Sequence, residues 1–190
     1  MTPSYDASAD LLPDAPPALG IVVEGDRGAL PFALIHGEAL VACAAWALGE
    51  AEVTLMDATV PWEDVRGADQ PLVLHDALCP MTPPAFVVEC VRRAVAADVV
   101  VAGVRPVTDT VKQVADGLVG STVDREGLVA LASPVVLPAR VVRELAAAPG
   151  TDLVALVRSL PDVELVEAPP EGRRVASDDE VRLLEGLTDR

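Results

Sequence analysis

The 190-residue sequence has few aromatic side chains, little lysine and little positive charge. Aromatic residues make up only 3% of it, so the core must be built from valine, leucine, alanine and isoleucine. Lys112 is the single lysine, and 14 basic residues stand against 30 acidic ones, for a formal net charge of −16. An acidic chain offers no broad basic face to replace counterions on phosphate. This argues against general nucleic-acid binding and against docking on anionic lipid.

Cysteine is also scarce. Cys43, Cys79 and Cys90 are an odd number without CxxC spacing. That pattern argues against a disulfide framework or a zinc site and is typical of a reducing compartment. No apolar run reaches the roughly 18 residues of a membrane span, and residues 1–17 lack the basic start and apolar centre of a secretory signal. We therefore expect a cytoplasmic protein without a membrane segment.

A hydrophobic fraction of 51% excludes a disordered chain as a whole. Residues 1–17, rich in Pro, Ser, Ala and Asp, predict a disordered leader, and residues 18–190 predict a single domain. Val99–Val104 holds four valines in six residues, which is typical of a strand buried on both faces. Short valine-rich segments alternate with helical periodicity, and this predicts an α/β fold with a mostly parallel sheet and helices on both faces.

Capping residues mark the starts of the predicted helices. Thr82 followed by Pro83 predicts a helix to about Ala97, and the pair Ser177 and Glu180 predicts a capping box. The other predicted helices are around Glu38–Leu48, from Pro138 to about Ala148, from a Thr151 cap to Leu160, and at Asp178–Leu187. The other predicted strands are Val53–Met56, Leu72–Leu74 and Val163–Val166. Residues 58–70 read as a polar connection.

One stretch breaks the alternation of strands and helices. Asp116-Gly117 is a turn between two segments of alternating polar and apolar residues, so residues 110–130 predict a β-hairpin. A lone hairpin is marginal in water and needs a surface to cover its apolar side. Either a second subunit covers it, in a homodimer, or it folds back on its own sheet in a monomer.

Three short segments carry groups suited to chemistry. His75-Asp76 follows a strand, where Asp76 either supports Mg²⁺ beside a phosphate or only caps a turn. RPVTDTVK, from Arg105 to Lys112, and Asp124-Arg125 offer hydroxyls and cations for a phosphate, or are solvated turns. In EGRRVAS, Glu171 is a candidate metal ligand or general base and Arg174 a candidate anion clamp. The alternative for that segment is a charged connection.

The order of these segments is more specific than any one of them. LHDALCP, RPVTDTVK, STVDREGLVALASPVVLPARVV and EGRRVASDDEVRLLEGL resemble, in sequence order, the methylerythritol-phosphate cytidylyltransferases of the isoprenoid pathway and the related ribitol-phosphate enzymes. Those families show HDAARP, PVxDTxK, a DRxxLW segment followed by QTPQ, and a late DxxK before a TxPEDL helix. The resemblance spans about residues 71–187.

The resemblance implies a Rossmann-like nucleotidyltransferase fold. It also implies Mg²⁺-dependent transfer of CMP from CTP to an alditol phosphate, in a homodimer clasped by residues 110–130. Its implied site has catalytic, metal, nucleotide and acceptor groups. The catalytic residues are Asp76, Glu171 and Arg27, with Asp76 and Glu171 also holding the metal. Gly25, Arg27 and Gly28 bind the nucleotide, and Thr110, Lys112, Arg125 and Arg174 face the acceptor.

The same comparison shows departures on the nucleotide side. The family opens with a Gly-rich AAGxGxRxGxxxPK loop, whereas this chain has a shorter loop that keeps only Gly25, Arg27 and Gly28 and has no lysine. Residues 1–80 contain 13 acidic residues and two arginines, for a net charge of −11. We therefore expect weak or absent CTP binding. Three functions stay open: a shortened cytidylyltransferase, a non-catalytic dimeric paralogue acting as a binding or regulatory subunit, and a phosphate-metabolite binder.

Overall fold

The computed structural model describes residues 16–57 and 59–189, so most of the predicted leader lies outside the described residues. The strands are β1 (Leu19–Val23), β2 (Leu34–Ile35), β3 (Glu38–Ala39), β4 (Thr54–Leu55), β5 (Leu72–Asp76), β6 (Val100–Pro106), β7 (Val111–Ala115), β8 (Leu118–Val123), β9 (Val129–Leu137) and β10 (Val163–Glu167). The helices are α1 (Leu40–Glu50), α2 (Trp62–Gly67), α3 (Pro84–Ala97), α4 (Ala139–Glu144), α5 (Leu153–Ser159) and α6 (Asp178–Thr188).

Six strands form the central sheet in the order β10-β6-β9-β5-β1-β4. The pairs β1–β4, β1–β5 and β6–β10 are parallel, and only β9 runs antiparallel to its neighbours β5 and β6. The predicted α/β class with a mostly parallel sheet is therefore confirmed. The sequence did not predict β9, because Ser133-Pro134 interrupts its apolar run and proline is uncommon inside a strand.

The sheet is covered on both faces, as the two-sided burial of its strands requires. Val73, Val101 and Val136 pack under α1 and α3 on one face. Leu74 and Val135 pack on the other face, under α2, α4 and α5. Because neighbouring residues of a strand point to opposite faces, the continuous apolar runs of β5, β6 and β9 feed both layers.

Two predicted helix caps were wrong. Thr82 is buried and donates its hydroxyl to the Cys79 carbonyl at 2.9 Å, and Pro83 is the residue that precedes α3. Asp152 caps α5 in place of Thr151, because its carboxylate accepts the Ala155 amide at 2.9 Å. In each case a neighbouring residue holds the capping position, and the threonine hydroxyl bonds elsewhere.

The Ser177 cap of the closing helix is confirmed, whereas the reciprocal bond of the predicted capping box goes to Ala176, one residue before Ser177. The Ser177 hydroxyl accepts the Glu180 amide at 3.3 Å, and the Glu180 carboxylate accepts the Ala176 amide at 2.8 Å. Two other helices differ from expectation. The helix after Pro138 ends at Glu144, well before Ala148, and α2 lies inside the connection predicted for residues 58–70.

The predicted hairpin is confirmed as β7 and β8, which pair with each other in a separate two-stranded sheet. Asp116 and Gly117 have φ of 52° and 76°, the left-handed conformations that a tight hairpin turn requires. Val114, Leu118 and Val119 are 68–74% exposed. The hairpin therefore has an uncovered apolar surface. Among the described residues, no helix has the length and apolar character to cross a membrane.

Candidate functional site

The candidate site lies where two parallel strands end side by side. Val23, the last residue of β1, is in register with Asp76, the last residue of β5. In parallel sheets the loops that follow the carboxyl ends of neighbouring strands meet at one edge, which is where ligands bind. The loop of residues 24–28 and the segment after Asp76 meet at this edge.

Asp76 lies at the centre of the site, with its side chain 6% exposed. Its Oδ1 accepts the Leu78 amide at 3.0 Å and Arg27 Nε at 3.2 Å. Its Oδ2 accepts Arg27 Nη2 at 3.2 Å and Arg174 Nε at 3.0 Å. The Asp76 amide in turn donates to Ser133 Oγ on β9 at 2.8 Å. The carboxylate is thus fixed by one backbone donor and two guanidinium groups.

These bonds determine the charge state of Asp76. Burial raises the pKa of a carboxyl group, but the hydrogen bonds from the Leu78 amide, Arg27 and Arg174 outweigh that effect here. The pKa of Asp76 therefore lies below its usual value. Asp76 is an anion at neutral pH and is poorly suited to take up a proton as a general base.

Arg27 ties three segments together. Besides its two bonds to Asp76, its Nη2 donates to the Thr151 carbonyl at 2.7 Å and its Nη1 donates to the Gly25 carbonyl at 3.2 Å. The Thr151 hydroxyl donates to the Asp26 carboxylate at 2.5 Å. The loop after β1 is consequently held both to the end of β5 and to the segment before α5.

A cavity of about 590 Å³ opens beside these groups. Its polar lining comprises Asp26, Arg27, Asp76, Thr151, Asp152 and Arg174. Residues 130–132 of β9 and residues 153–154 of α5 complete the lining. The volume suits a small phosphorylated metabolite, and two arginines beside a threonine hydroxyl are suited to hold a phosphate.

The structure brings together part of the predicted site. Arg27, Asp76 and Arg174 line one cavity, with Gly25 in contact with Arg27. Gly28, at φ 62°, allows the tight turn of the loop. Glu171 lies elsewhere: it follows β10 in a 3₁₀ turn and lines a second cavity.

The predicted acceptor residues on the hairpin do not line the cavity of their own chain. Thr110 is exposed, and Lys112 donates to Thr122 Oγ1 across the hairpin at 2.5 Å. Arg125 is exposed at the base of the hairpin and donates to the Thr108 carbonyl. Within the described chain these residues therefore lie outside the candidate site.

The donor set does not fit a protein-held Mg²⁺. Asp76 has both carboxylate oxygens engaged by cations and an amide, and Glu171 lines a different cavity. In residues 16–57 and 59–189 no three His, Cys, Asp or Glu side chains cluster at metal-binding distances. The pair predicted to hold the metal is therefore not brought together.

Sequence reasoning missed three residues of this region. Thr151 was interpreted only as a helix cap, and Asp152 and Ser133 received no role. A polar residue just before a helix is typical both of a helix cap and of a ligand site. The sequence pattern therefore could not distinguish these two roles. Only the packing of the Asp26 loop against Thr151 shows which applies.

Two residues close to Asp76 in the sequence, His75 and Cys79, are buried and do not line the cavity. Burial raises the pKa of the Cys79 thiol to about 12, which agrees with a packing residue and not a nucleophile. His75 is fully buried, and neither ring nitrogen has a hydrogen-bond partner among the described residues. Burial lowers the pKa of His75 to about 4.

Comparison with known proteins supports the resemblance noted in the sequence. Residues 61–183 match the family described as 2-C-methyl-D-erythritol 4-phosphate cytidylyltransferase. A protein of that name from Nocardia farcinica is 37% identical over 122 residues, which are 62% of this chain and 53% of that protein. The chain therefore spans about half the length of the curated relative it matches.

Solved structures agree on the fold. The 2-C-methyl-D-erythritol 4-phosphate cytidylyltransferase of Thermus thermophilus aligns with a TM-score of 0.65 at 17% identity, covering 90% of this chain and 98% of that one. The 4-diphosphocytidyl-2C-methyl-D-erythritol synthase of Anaerococcus prevotii aligns with a TM-score of 0.63 at 10% identity, covering 92% and 98%.

Proposed function

Because the chain belongs to the 2-C-methyl-D-erythritol 4-phosphate cytidylyltransferase family, we propose that it is a dimeric member that binds the phosphorylated alditol of that reaction and does not transfer the cytidylyl group. The observation that carries this proposal is the engagement of Arg27. It is the single cation of the loop at residues 24–28, and its guanidinium already bonds Asp76, the Gly25 carbonyl and the Thr151 carbonyl.

Charge in the cavity also disfavours a triphosphate. CTP brings about four negative charges, and phosphoryl transfer needs further positive charge to stabilise its transition state. Against this, the cavity offers Arg27 and Arg174, and it also contains the carboxylates of Asp26, Asp76 and Asp152. No lysine lies in residues 24–28 to supplement them.

The acceptor side is better equipped. Arg174 keeps 37% of its side chain exposed at the cavity while its Nε bonds Asp76. Thr151 lines the same cavity, and its hydroxyl donates to the Asp26 carboxylate. A single phosphate monoester, with about two negative charges, needs less positive charge than a triphosphate, and we expect Lys112 and Arg125 of a second subunit to add to Arg174.

The hairpin supports a homodimer. Val114, Leu118 and Val119 are mostly exposed, and β7 and β8 pair with each other outside the central sheet. A second copy that covered these side chains would bring Lys112 and Arg125 of one subunit toward the cavity of the other. The unpaired thiols of Cys43, Cys79 and Cys90 support placing this dimer in the reducing cytoplasm.

A second candidate function is the family's full reaction, CMP transfer from CTP to the alditol phosphate. The convergence of Arg27, Asp76 and Arg174 on one cavity favours it. In that case ligand binding would have to release Arg27 from Asp76.

Calorimetry of the intact chain tests the proposal, with 2-C-methyl-D-erythritol 4-phosphate and CTP titrated separately, each with and without Mg²⁺. We expect binding of the alditol phosphate and at least tenfold weaker binding of CTP. Arg174→Ala should weaken alditol phosphate binding about tenfold or more, the value of a lost charge-assisted phosphate contact. Arg182→Ala, an exposed arginine of α6, is the matched control.

A pyrophosphate-release assay with both substrates and Mg²⁺ separates the two candidates. Absence of pyrophosphate together with alditol phosphate binding supports the non-catalytic dimer. Enzymatic release of pyrophosphate overturns it in favour of the second candidate. Failure of the alditol phosphate to bind at all rejects both.

A further inference from the structure

A second cavity is larger than the one beside Asp76. It has a volume of about 740 Å³ and is bordered by the β2–β3 turn, α1, the segment of residues 80–84 and the end of α6. Among the described residues, it shares no lining side chain with the cavity of Arg27, Asp76 and Arg174. Its volume falls within the range of small-molecule sites.

One wall of this cavity is held by hydrogen bonds between segments that are far apart in the sequence. The His36 amide donates to Glu185 Oε1 at 2.6 Å, and His36 Nε2 lies 2.7 Å from Thr188 Oγ1. His36 adopts φ 52° in the turn between β2 and β3. The turn is thereby attached to α6, 149 residues later in the chain. These contacts fix the turn and α6 relative to each other on that wall.

The lining is largely apolar and includes an exposed indole. Trp46, one of two tryptophans in the sequence, is 61% exposed at the cavity, and Leu187 is 62% exposed. Met81 and Pro83 contribute further apolar surface. Large apolar side chains left uncovered around a concave surface are typical of a binding site.

The charged groups of the lining are of one sign. Glu38 contributes a carboxylate from β3 and Glu171 contributes one from the turn after β10, and no arginine or lysine of the described chain lines the cavity. Carboxylates near an aromatic ring favour ammonium groups, which gain both ion pairing and cation–π attraction. An anionic ligand would meet repulsion here. The negative charge of the lining therefore disfavours, in this cavity, the phosphorylated compounds proposed for the cavity beside Asp76.

We propose that this cavity is a separate site for an organic cation with an apolar body, such as an aryl-alkyl ammonium. The ammonium group lies between Glu38 and Glu171, and the apolar body packs against Trp46. The proposal does not depend on the function assigned to the cavity beside Asp76.

Three probes of similar size test it on the full chain: phenethylammonium, the neutral phenethyl alcohol and the anionic 3-phenylpropionate. Binding is measured by calorimetry and by the shift of the Trp46 indole N–H in NMR spectra. We expect phenethylammonium to bind at least tenfold more tightly than the alcohol, and 3-phenylpropionate not to bind. Equal binding of the cation and the alcohol, or binding of the carboxylate, overturns the proposal.

Variants assign the binding to the cavity. Glu38→Gln combined with Glu171→Gln should weaken the binding of phenethylammonium about tenfold and leave the binding of the alcohol unchanged. Glu52→Gln combined with Glu63→Gln should change neither affinity. Trp46→Ala should weaken both ligands, and Phe32→Ala, an exposed aromatic residue outside the lining, should not. An affinity that falls as protein concentration rises would show that a second copy covers the cavity, and this would also overturn the proposal.

Discussion

Arg27 and Asp76 are 49 residues apart in the chain, and their side chains meet in a two-bonded ion pair, with both N–O distances 3.2 Å. The pair is largely buried, with side-chain exposures of 12% and 6%. It holds the loop after β1 against the end of β5. The family's reaction uses a triphosphate. In this chain the loop arginine, Arg27, is instead bonded to the carboxylate of Asp76.

Asp76→Asn should destabilise the fold by about 2–3 kcal/mol, because charge-assisted hydrogen bonds to both arginines are weakened in a buried setting. Asp69→Asn is the control, since Asp69 pairs with Arg143 at an exposed surface and should cost less than about 1 kcal/mol. Urea unfolding of the two variants measures the difference. Equal losses would mean that the buried network contributes no more than a surface pair.

His75 should make the protein sensitive to acid. Its pKa is about 4 in the fold against 6.5 ordinarily, so the folded state favours the neutral ring. That contribution is present above pH 6.5 and is lost as the pH falls toward 4, a decrease of about 3 kcal/mol. The lowered pKa of Asp76 affects stability only at more acidic pH, below its usual value of 3.8. A variant is needed to separate the contribution of His75 from that of other groups.

His75→Leu provides that separation. It removes the titrating ring but keeps an apolar side chain of similar reach. Its unfolding free energy, measured by urea titration between pH 7 and pH 4, should decline less steeply than that of the wild type. Parallel declines would show that His75 does not cause the acid sensitivity.

The hairpin should determine the oligomeric state. Replacing residues 110–128 by a short Gly/Ser loop should convert a dimer into a monomer, because the apolar side chains that need cover are removed. Leu118→Ser combined with Val119→Ser should have the same effect, and Gln113→Ala, a polar position on β7, should not. Light scattering reports the mass. A monomeric wild type, or a loop variant that stays dimeric, contradicts this prediction.

Lys112 and Arg125 should act across the dimer. Lys112→Ala and Arg125→Ala should each weaken alditol phosphate binding about tenfold and leave CTP binding nearly unchanged. When the Arg125→Ala protein and the Arg174→Ala protein are mixed in equal amounts and refolded together, half of the dimers contain one subunit of each. Each such mixed dimer has one intact site. Calorimetry of that mixture should recover about a quarter of the sites. No recovery would mean that the two arginines do not serve one site from different subunits.

The sequence by itself determined the layers of this protein. Buried strands such as Val100–Pro106 are visible as valine runs, and the Asp116-Gly117 turn and the Ser177 cap depend on local conformational preferences. Such signals survive without tertiary context because they arise from a few neighbouring residues. The order of the short motifs also implied a shared site for Asp76, Arg174 and Glu171, of which the structure brings Asp76 and Arg174 together.

Only the tertiary structure decided how these pieces meet. The antiparallel strand β9 forms by pairing with β5 and β6. Its sequence does not predict a strand, because Ser133-Pro134 interrupts the apolar run. The contacts of Arg27 with Asp76 and Thr151 join segments far apart in the chain, as does the placement of Glu171 in the second cavity. Such contacts depend on long-range packing, because the position of a buried polar side chain is set by all the residues that pair with its charge and its hydrogen-bonding groups.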